Sequence, residues 1–415
     1  QDVSISTTGP AQMVNWGYEK TIDINTVKLN ITGNGVKIGV IDTGISVDHP
    51  DLKVAGGISV VPGITSYHDD NGHGTHVAGI IGAQDNGFGA LGIAPNVELY
   101  AIKALNQDGR GSQADVVAGI EWAIENELDI LNLSLTNPMP SLALKRITEK
   151  AAEAGIILVA ASGNLDEITT YRSDIMYPAR YEHVIGVGSV GKDLSKSSFS
   201  YRGPSLEYVA PGEQIYSTVL SPTDKRNGYG YMSGTSMAAP FVAGIAALYK
   251  EVYPDLDTAQ LKQMMANQAI DLGVPGRDPI FGFGFIQSPE TLFWDVPKEM
   301  WYTNAVMYLK QQNHISGYPD GSFKPNGPIT RGEAVKMIGN ALGLDGTPQP
   351  TPYQDVKENY FASGYIVEGT IQGWITGYPN QEFKPNDPIK RGDVALIIQR
   401  AFKISPSNRQ AFQDV

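Results

Sequence analysis

The sequence predicts an α/β fold, a mostly parallel sheet with helices on both faces, followed by small, mainly helical repeats. Two observations carry this. A βαβ rhythm runs from about Gly35 to Gly244, and two segments in the last third match at an offset of 60 residues. A third is the length: 415 residues exceed what one ordinary core accommodates, so at least two domains are expected.

The rhythm is made of short β-branched runs separated by helical stretches. Val36–Asp42, Val97–Leu105, Leu128–Leu135, Gly155–Ala161 and His183–Val190 read as strands. Amphipathic segments at Asp115–Glu127 and Leu142–Gly155 read as helices between them. Strand alternating with helix implies a mostly parallel sheet covered on both faces. In such folds ligands gather at the carboxyl ends of the strands.

The second part of the chain is organised differently. Gly317–Val335 (GYPDGSFKPNGPITRGEAV) aligns with Gly377–Ala395 (GYPNQEFKPNDPIKRGDVA). Each unit begins with an aromatic-x-Asp-Val, at Phe293 and Tyr353, and a third such opening stands at Phe412–Val415. Repeats of this size rarely bury a core alone and pack on their neighbours. Leu344–Tyr353, rich in Pro and turn residues, reads as the linker. The expected division is 1–291 for the α/β domain, then repeats at 292–345 and 346–405, with 406–415 starting a third.

Composition narrows the functional classes. There is no cysteine, which excludes thiol catalysis, Cys-ligated zinc and a disulfide framework. Residues 293–415 carry twelve basic and twelve acidic side chains, so the net charge of −13 resides in residues 1–292. An acidic domain is a poor nucleic-acid binder and a plausible host for calcium, although most such charges solvate a surface. The apolar run Ile156–Ala161, among the longest, is only strand-sized, so no membrane span is expected. Gln1 follows neither a basic start nor an apolar signal region and reads as a processed or engineered start.

Three motifs carry chemistry. Val40–Gly44 (VIDTG) puts Asp42 at the carboxyl end of a strand. His73–Gly79 (HGTHVAG) opens a helix with His73, and Gly234–Pro240 (GTSMAAP) opens another with Ser236. A hydroxyl is a weak nucleophile unless a base lies within hydrogen-bond reach and an acid orients that base. One of each at element ends on one sheet edge is what acyl transfer requires. Each alone has a plainer reading: Ser236 and His73 as helix caps, Asp42 as a strand end. Their joint occurrence favours catalysis. His76, one turn beyond His73, reads as a core residue; the Gly74-Thr75 between the two histidines lacks the glutamate of a zinc-protease helix.

The order Asp…His…Ser with these flanks resembles the subtilisin-like serine proteases over roughly Gln12 to Gln287. The resemblance implies that Ser236 attacks the scissile carbonyl, His73 shuttles its proton and Asp42 fixes the imidazole. It implies further that Asn164, in AASGN (Ala160–Asn164), donates to the oxyanion together with the Ser236 N–H; the alternative is a plain Gly-Asn turn. Substrate walls are implied at Gly109, Arg110 and Gly111, and at Ser134, Leu135 and Thr136. Relatives usually read Ser-Leu-Gly-Gly where Ser134–Asn137 stands, and often have glycine where Met176 stands. The added bulk leads us to expect a shallower primary pocket and a preference for medium apolar side chains. The resemblance also implies a calcium site with side-chain oxygens from Gln12, Asp51 and Asn86 and carbonyls from Gln84, Phe88 and Ala90.

The repeats resemble S-layer homology domains, through GYPDGSFKP and the ITRGE and IKRGD segments at Ile329–Glu333 and Ile389–Asp393. Such modules hold surface proteins on bacterial cell-wall polysaccharide. Arg331 and Arg391 occupy the implied ligand position, suited to an anionic glycan; alternatively each pairs with Glu333 or Asp393. Gly332 and Gly392 stand where the motif usually has alanine.

The expectation is therefore a secreted, calcium-stabilised serine endopeptidase on the cell wall or S-layer of a bacterium. Its partners would be polypeptide substrates, a propeptide as inhibitor and folding aid, and anionic wall polysaccharide. Alternatives are a maturation protease of narrow specificity and a non-catalytic wall-binding surface protein. An esterase of the α/β-hydrolase type would need Ser…Asp…His order and G-x-S-x-G, which do not occur here.

Overall fold

The computed structural model describes residues 11–405, apart from short segments at 24–25, 28–29, 166–173, 222–227, 255–256, 290–292, 294, 297–299 and 319–321. The third repeat opening, Phe412–Val415, thus lies outside the described residues. Contacts divide the chain into two units, Gln1–Thr291 and Leu292–Val415.

The first unit is built on strands β1 (Lys37–Asp42), β2 (Val54–Ser59), β3 (Glu98–Lys103), β4 (Ile130–Leu133), β5 (Ile157–Ala161), β6 (Val184–Val190) and β7 (Tyr208–Pro211). They form one sheet in the order β2-β3-β1-β4-β5-β6-β7, every neighbouring pair parallel. Strands β4, β5 and β6 are buried along their whole length, which is why they read as unbroken apolar runs. The side chains alternate between two cores. Ile38 and Val40 of β1 face one, Ile41 the other; Ile157 and Val159 of β5 face the first, Leu158 and Ala160 the second.

Helices α1 (Trp16–Thr21), α2 (His73–Gly82), α3 (Gln113–Glu125), α4 (Leu142–Glu153), α5 (Thr235–Val252) and α6 (Thr258–Gln268) cover this sheet. Helices α2 and α5 fill the first core, α3 and α4 the second. Helix α4 buries Leu144, Ile147, Thr148 and Ala151, the i, i+3, i+4, i+7 stripe of a helix lying on a sheet. Helix α5 is buried nearly all round, and its small residues permit this: a Cβ at Gly244 would stand 2.8 Å from Ile93. From β1 the chain runs outward to β2 and β3 on one side, then crosses to β4 on the other. The carboxyl ends of β1 and β4 therefore flank the point where strand order reverses, which places a ligand crevice there. An antiparallel pair, β8 (Ile215–Val219) and β9 (Gly228–Met232), lies apart from the sheet.

The second unit repeats one design twice. Helices α7 (Thr303–Gln311) and α8 (Arg331–Ala341) belong to the first copy, α9 (Ser363–Ile371) and α10 (Arg391–Ala401) to the second. The aromatic-x-Asp-Val motif has a clear task in both. Asp295 accepts from the amides of Phe323 and Lys324, each at 2.7 Å; Asp355 accepts from those of Phe383 (2.8 Å) and Lys384 (2.7 Å). Leu344–Tyr353 is anchored rather than loose: Leu344 and Tyr353 pack on the core of the second copy, and Gln349 N–H donates to Ser363.

Candidate active site

Asp42 ends β1 fully buried, and His73 opens α2. The His73 Nδ1 lies 2.8 and 2.9 Å from the two Asp42 carboxylate oxygens. A carboxylate only accepts, so Nδ1 carries the proton and Nε2 is left as the basic nitrogen. Burial pushes the imidazole pKa down; the charge and hydrogen bond of Asp42, with the charge of Asp69 behind them, outweigh that, and the net shift is upward.

Several groups hold this pair that the motifs did not single out. Asp69, buried, accepts from the Thr43 hydroxyl at 2.8 Å and from Thr75 N–H at 3.0 Å. Asn71 Oδ1 accepts from His73 N–H, and its Nδ2 reaches the Gln107 carbonyl at 2.9 Å. Lys103, fully buried, donates to Asp70 (2.7 Å) and to the carbonyls of Thr43 (2.6 Å) and Leu105 (2.9 Å). The only sequence signal for these was proximity to HGTHVAG and to a strand end.

Ser236 is the second residue of α5 and half-buried. Its hydroxyl donates to the Ser134 carbonyl at 3.2 Å. The proline of GTSMAAP explains a second link. Pro240 lies four residues on and has no N–H, so the Ser236 carbonyl lacks its helical partner. The Ser134 hydroxyl supplies one at 2.8 Å and itself accepts from Asn132 Nδ2 at 2.9 Å. The end of β4 is thereby tied to the serine-bearing turn by two hydrogen bonds.

Asn164 follows β5. Its Oδ1 accepts from the Thr235 amide (2.9 Å) and hydroxyl (3.1 Å), which fixes the amide and turns Nδ2 toward Gly234. The Ser236 N–H belongs to the first turn of α5, where no intrahelical acceptor exists. Asn164 Nδ2 and the Ser236 N–H both lie near Gly234, 3.4 and 3.7 Å from where a Cβ there would stand.

A cleft of about 580 Å³ brings together His73, Gly109, Arg110, Gly111, Ser134, Leu135, Thr136 and Asn137. Met176 lies outside the lining and is buried against Gly163. Its amide donates to the Ser162 carbonyl, and the next residue, Tyr177, bridges Asn137. His76 is fully buried with Nε2 on the Ile215 carbonyl (3.0 Å); burial lowers its pKa to about 4.

The six residues expected to hold calcium lie together, drawn from three separate stretches of the sequence. Gln12 Nε2 donates to the Gln84 (2.9 Å) and Ala90 (3.3 Å) carbonyls; Asp51 accepts from Asn86 Nδ2 (3.0 Å) and Ala90 N–H (2.8 Å); Phe88 N–H donates to Asn86. Asp51 is buried, and burial raises its pKa against the opposing hydrogen bonds. No cluster of three His, Asp or Glu able to hold a metal occurs among the described residues.

In the repeats, Arg331 does not pair with Glu333. Glu333 accepts instead from Thr330 N–H (2.7 Å) and the Tyr318 hydroxyl (2.8 Å). Arg331 reaches the second copy: Nη2 donates to the Thr376 carbonyl (2.6 Å), and the guanidinium lies 4.6 Å from the Phe383 ring centre. A Cβ at Gly332 would meet the Tyr360 hydroxyl at 2.3 Å, whereas one at Gly392 would meet nothing within 4 Å. Arg391 is exposed.

Comparison with known proteins agrees with these two units. The subtilase family matches residues 33–284, and the S-layer homology domain matches 292–335 and 352–395. Subtilisin DY of Bacillus licheniformis is 49% identical over 241 residues, covering 58% of this chain and 86% of that protein. Subtilisin BL of Lederbergia lenta is 43% identical over 278 residues, 67% of this chain and 98% of its own. Minor extracellular protease Epr of Bacillus subtilis is 44% identical over 272 residues, 66% of this chain and 41% of its own.

Proposed function

The chain belongs to the subtilase family and is a subtilisin-like serine endopeptidase with S-layer homology domains, and on that premise we propose which residues act and where. Asp42, His73 and Ser236 form the proton relay. Ser236 turns from the Ser134 carbonyl toward His73 Nε2, gives up its proton and attacks the scissile carbonyl. His73 returns the proton to the leaving amine; Asp42 holds the tautomer and stabilises the imidazolium. Asn164 Nδ2 and the Ser236 N–H receive the charge that develops on the carbonyl oxygen. The observation that carries this reading is the 2.8 Å Asp42–His73 bond at the edge of a cleft that also holds Ser134, the partner of Ser236.

Substrate is taken as an extended strand between Gly109–Gly111 and Ser134–Thr136, with Arg110 on the upstream wall. Thr136 and Asn137 narrow the primary pocket and Met176 fills space beneath it, so medium apolar side chains are favoured. A calcium ion is held by Gln12, Asp51, Asn86 and the carbonyls of Gln84, Phe88 and Ala90. The support is chemical: one buried carboxylate and several neutral oxygens suit a hard cation, and the Gln84 and Ala90 carbonyls converge on one donor. When bound, calcium supplies stability and takes no part in the chemistry.

The protein is secreted and works at a bacterial cell surface. Repeats at 292–345 and 346–405, with 406–415 opening a third, would bind anionic wall glycan. Arg391 is the exposed guanidinium for that contact, since Arg331 is engaged between the repeats. A propeptide is a further partner.

The test is casein digestion by the protein and by its Ser236→Ala variant, with fluorophosphonate labelling of both. Loss of digestion and of label in the variant is expected; retention of either overturns the assignment of Ser236. Cleavage profiling on a peptide library reads the pocket, and a dominant Phe or Tyr preference overturns the shallow-pocket reading.

A further inference from the structure

Asp69 is a buried carboxylate, 1% exposed, in the loop before α2. It accepts five hydrogen bonds. Oδ1 takes the Thr43 hydroxyl (2.8 Å), Asn71 N–H (2.9 Å) and Gly72 N–H (3.0 Å); Oδ2 takes the Thr75 hydroxyl (2.6 Å) and N–H (3.0 Å). Thr43 follows Asp42, and Thr75 stands two residues beyond His73. The Thr43 hydroxyl also accepts from Gly74 N–H at 3.0 Å. One carboxylate therefore joins both flanks of the acid–imidazole pair. The nearby ammonium of Lys103 is directed at Asp70 instead. Asp69 is held by neutral donors at the positive end of α2.

We propose that Asp69 is a second carboxylate of the relay, a positioning residue that locks the Asp42 strand end onto the first turn of the His73 helix and stabilises the imidazolium by its charge. This rests on the assignment of Asp42, His73 and Ser236 above.

The charged and titratable groups around His73 can be enumerated by element. Asp42 comes from β1, Asp69 and Asp70 from the loop, and Lys103 from the end of β3, already bonded to Asp70. Arg110 lines the same cleft, and His76, one turn on, has its pKa lowered by burial to about 4. Asp69 is the negative charge in this set that neither bonds the imidazole nor pairs with a cation. Its charge adds to that of Asp42 in raising the His73 pKa against burial. It does not line the cleft, so it has no part in substrate binding.

The experiment compares Asp69→Asn, Thr75→Val and Thr43→Val in the full chain, reading kcat and KM for a peptide substrate across pH together with thermal stability. Asp69→Asn removes the charge and keeps an acceptor; the acid limb of kcat/KM should move down by about half a pH unit, with kcat lowered and KM unchanged. Thr75→Val keeps the charge; its melting temperature should fall while the limb stays in place. Thr43→Val cuts the tie to the Asp42 flank and should lower kcat with the limb unchanged. This last arm is decisive if Asp69→Asn fails to fold. An unmoved limb in folded Asp69→Asn, an equal move in Thr75→Val, or unchanged kcat in Thr43→Val overturns the proposal. If Ser236→Ala retained activity, the relay assignment itself would fail, which none of these three outcomes would produce.

Discussion

His73 and His76 stand one helical turn apart and are shifted in opposite directions. His73 meets two carboxylate charges that overcome its burial, whereas His76 meets a backbone carbonyl and the neighbouring imidazole. The sign of the consequence for His76 is definite. Its pKa is about 4 in the fold against 6.5 in a free histidine, so the unfolded chain binds the proton more readily. The stabilisation is fully present above pH 6.5 and is lost as pH falls from there to about 4, amounting to roughly 3 kcal/mol. Melting temperature should therefore decline across that interval. In His76→Gln, whose amide can still donate to the Ile215 carbonyl but does not titrate, the decline should be shallower; an equal decline would remove His76 as its source.

At the scale of elements, the serine turn depends on a helix that cannot close its own hydrogen bonds. Pro240 leaves the Ser236 carbonyl to the Ser134 hydroxyl, and Ser134 stands at the end of a strand buried on both faces. Ser236 is thereby registered against the sheet rather than against its own helix. Ser134→Ala removes that donor and leaves a buried carbonyl without its partner, a loss of about 1–3 kcal/mol. We expect kcat to fall, by at most the same free energy, roughly five- to 150-fold; a variant with unchanged kcat would mean the latch has no role in placing Ser236. The strands that bear site residues were legible because burial on both faces made them continuous apolar runs. Strand β2 was not: its residues are only half-buried at the sheet edge, and Gly56 and Gly57 interrupt the pattern. Strand β7 has four residues ending in Pro211, and the β8–β9 pair carries glycines at 228 and 230, so none showed a clear period. The roles proposed for Asp42, His73 and Ser236 were legible through their flanking motifs. Asp69 and the Ser134 hydroxyl were not, because their importance lies in hydrogen bonds to partners that sequence spacing does not reveal. Arg331 shows the reverse: its motif pointed outward to a ligand, yet its guanidinium lies against Phe383 of the next repeat.

On the scale of the whole molecule, the two units are stabilised by different means. Residues 1–291 carry the acidic excess and two cores on either side of a seven-stranded sheet. Residues 292–415 are nearly neutral, with small cores around Phe293 and Val296 and around Val335, Ile366 and Phe383. The six candidate calcium ligands all belong to the first unit, and four of them come from the segment Gln84–Ala90, joined there to Gln12 and Asp51. A cation that binds only the native arrangement stabilises by mass action, by about 2.7 kcal/mol at a hundredfold excess over its dissociation constant. Chelation should therefore lower the melting transition of the protease unit and leave that of the repeats in place. Calorimetry of the full chain, with and without chelator, reads both transitions. The Asp51→Asn variant should abolish the response, because the buried carboxylate is the only full charge in the shell. A chelator effect on the repeat transition, or an undiminished effect in Asp51→Asn, would place the stabilising ion elsewhere.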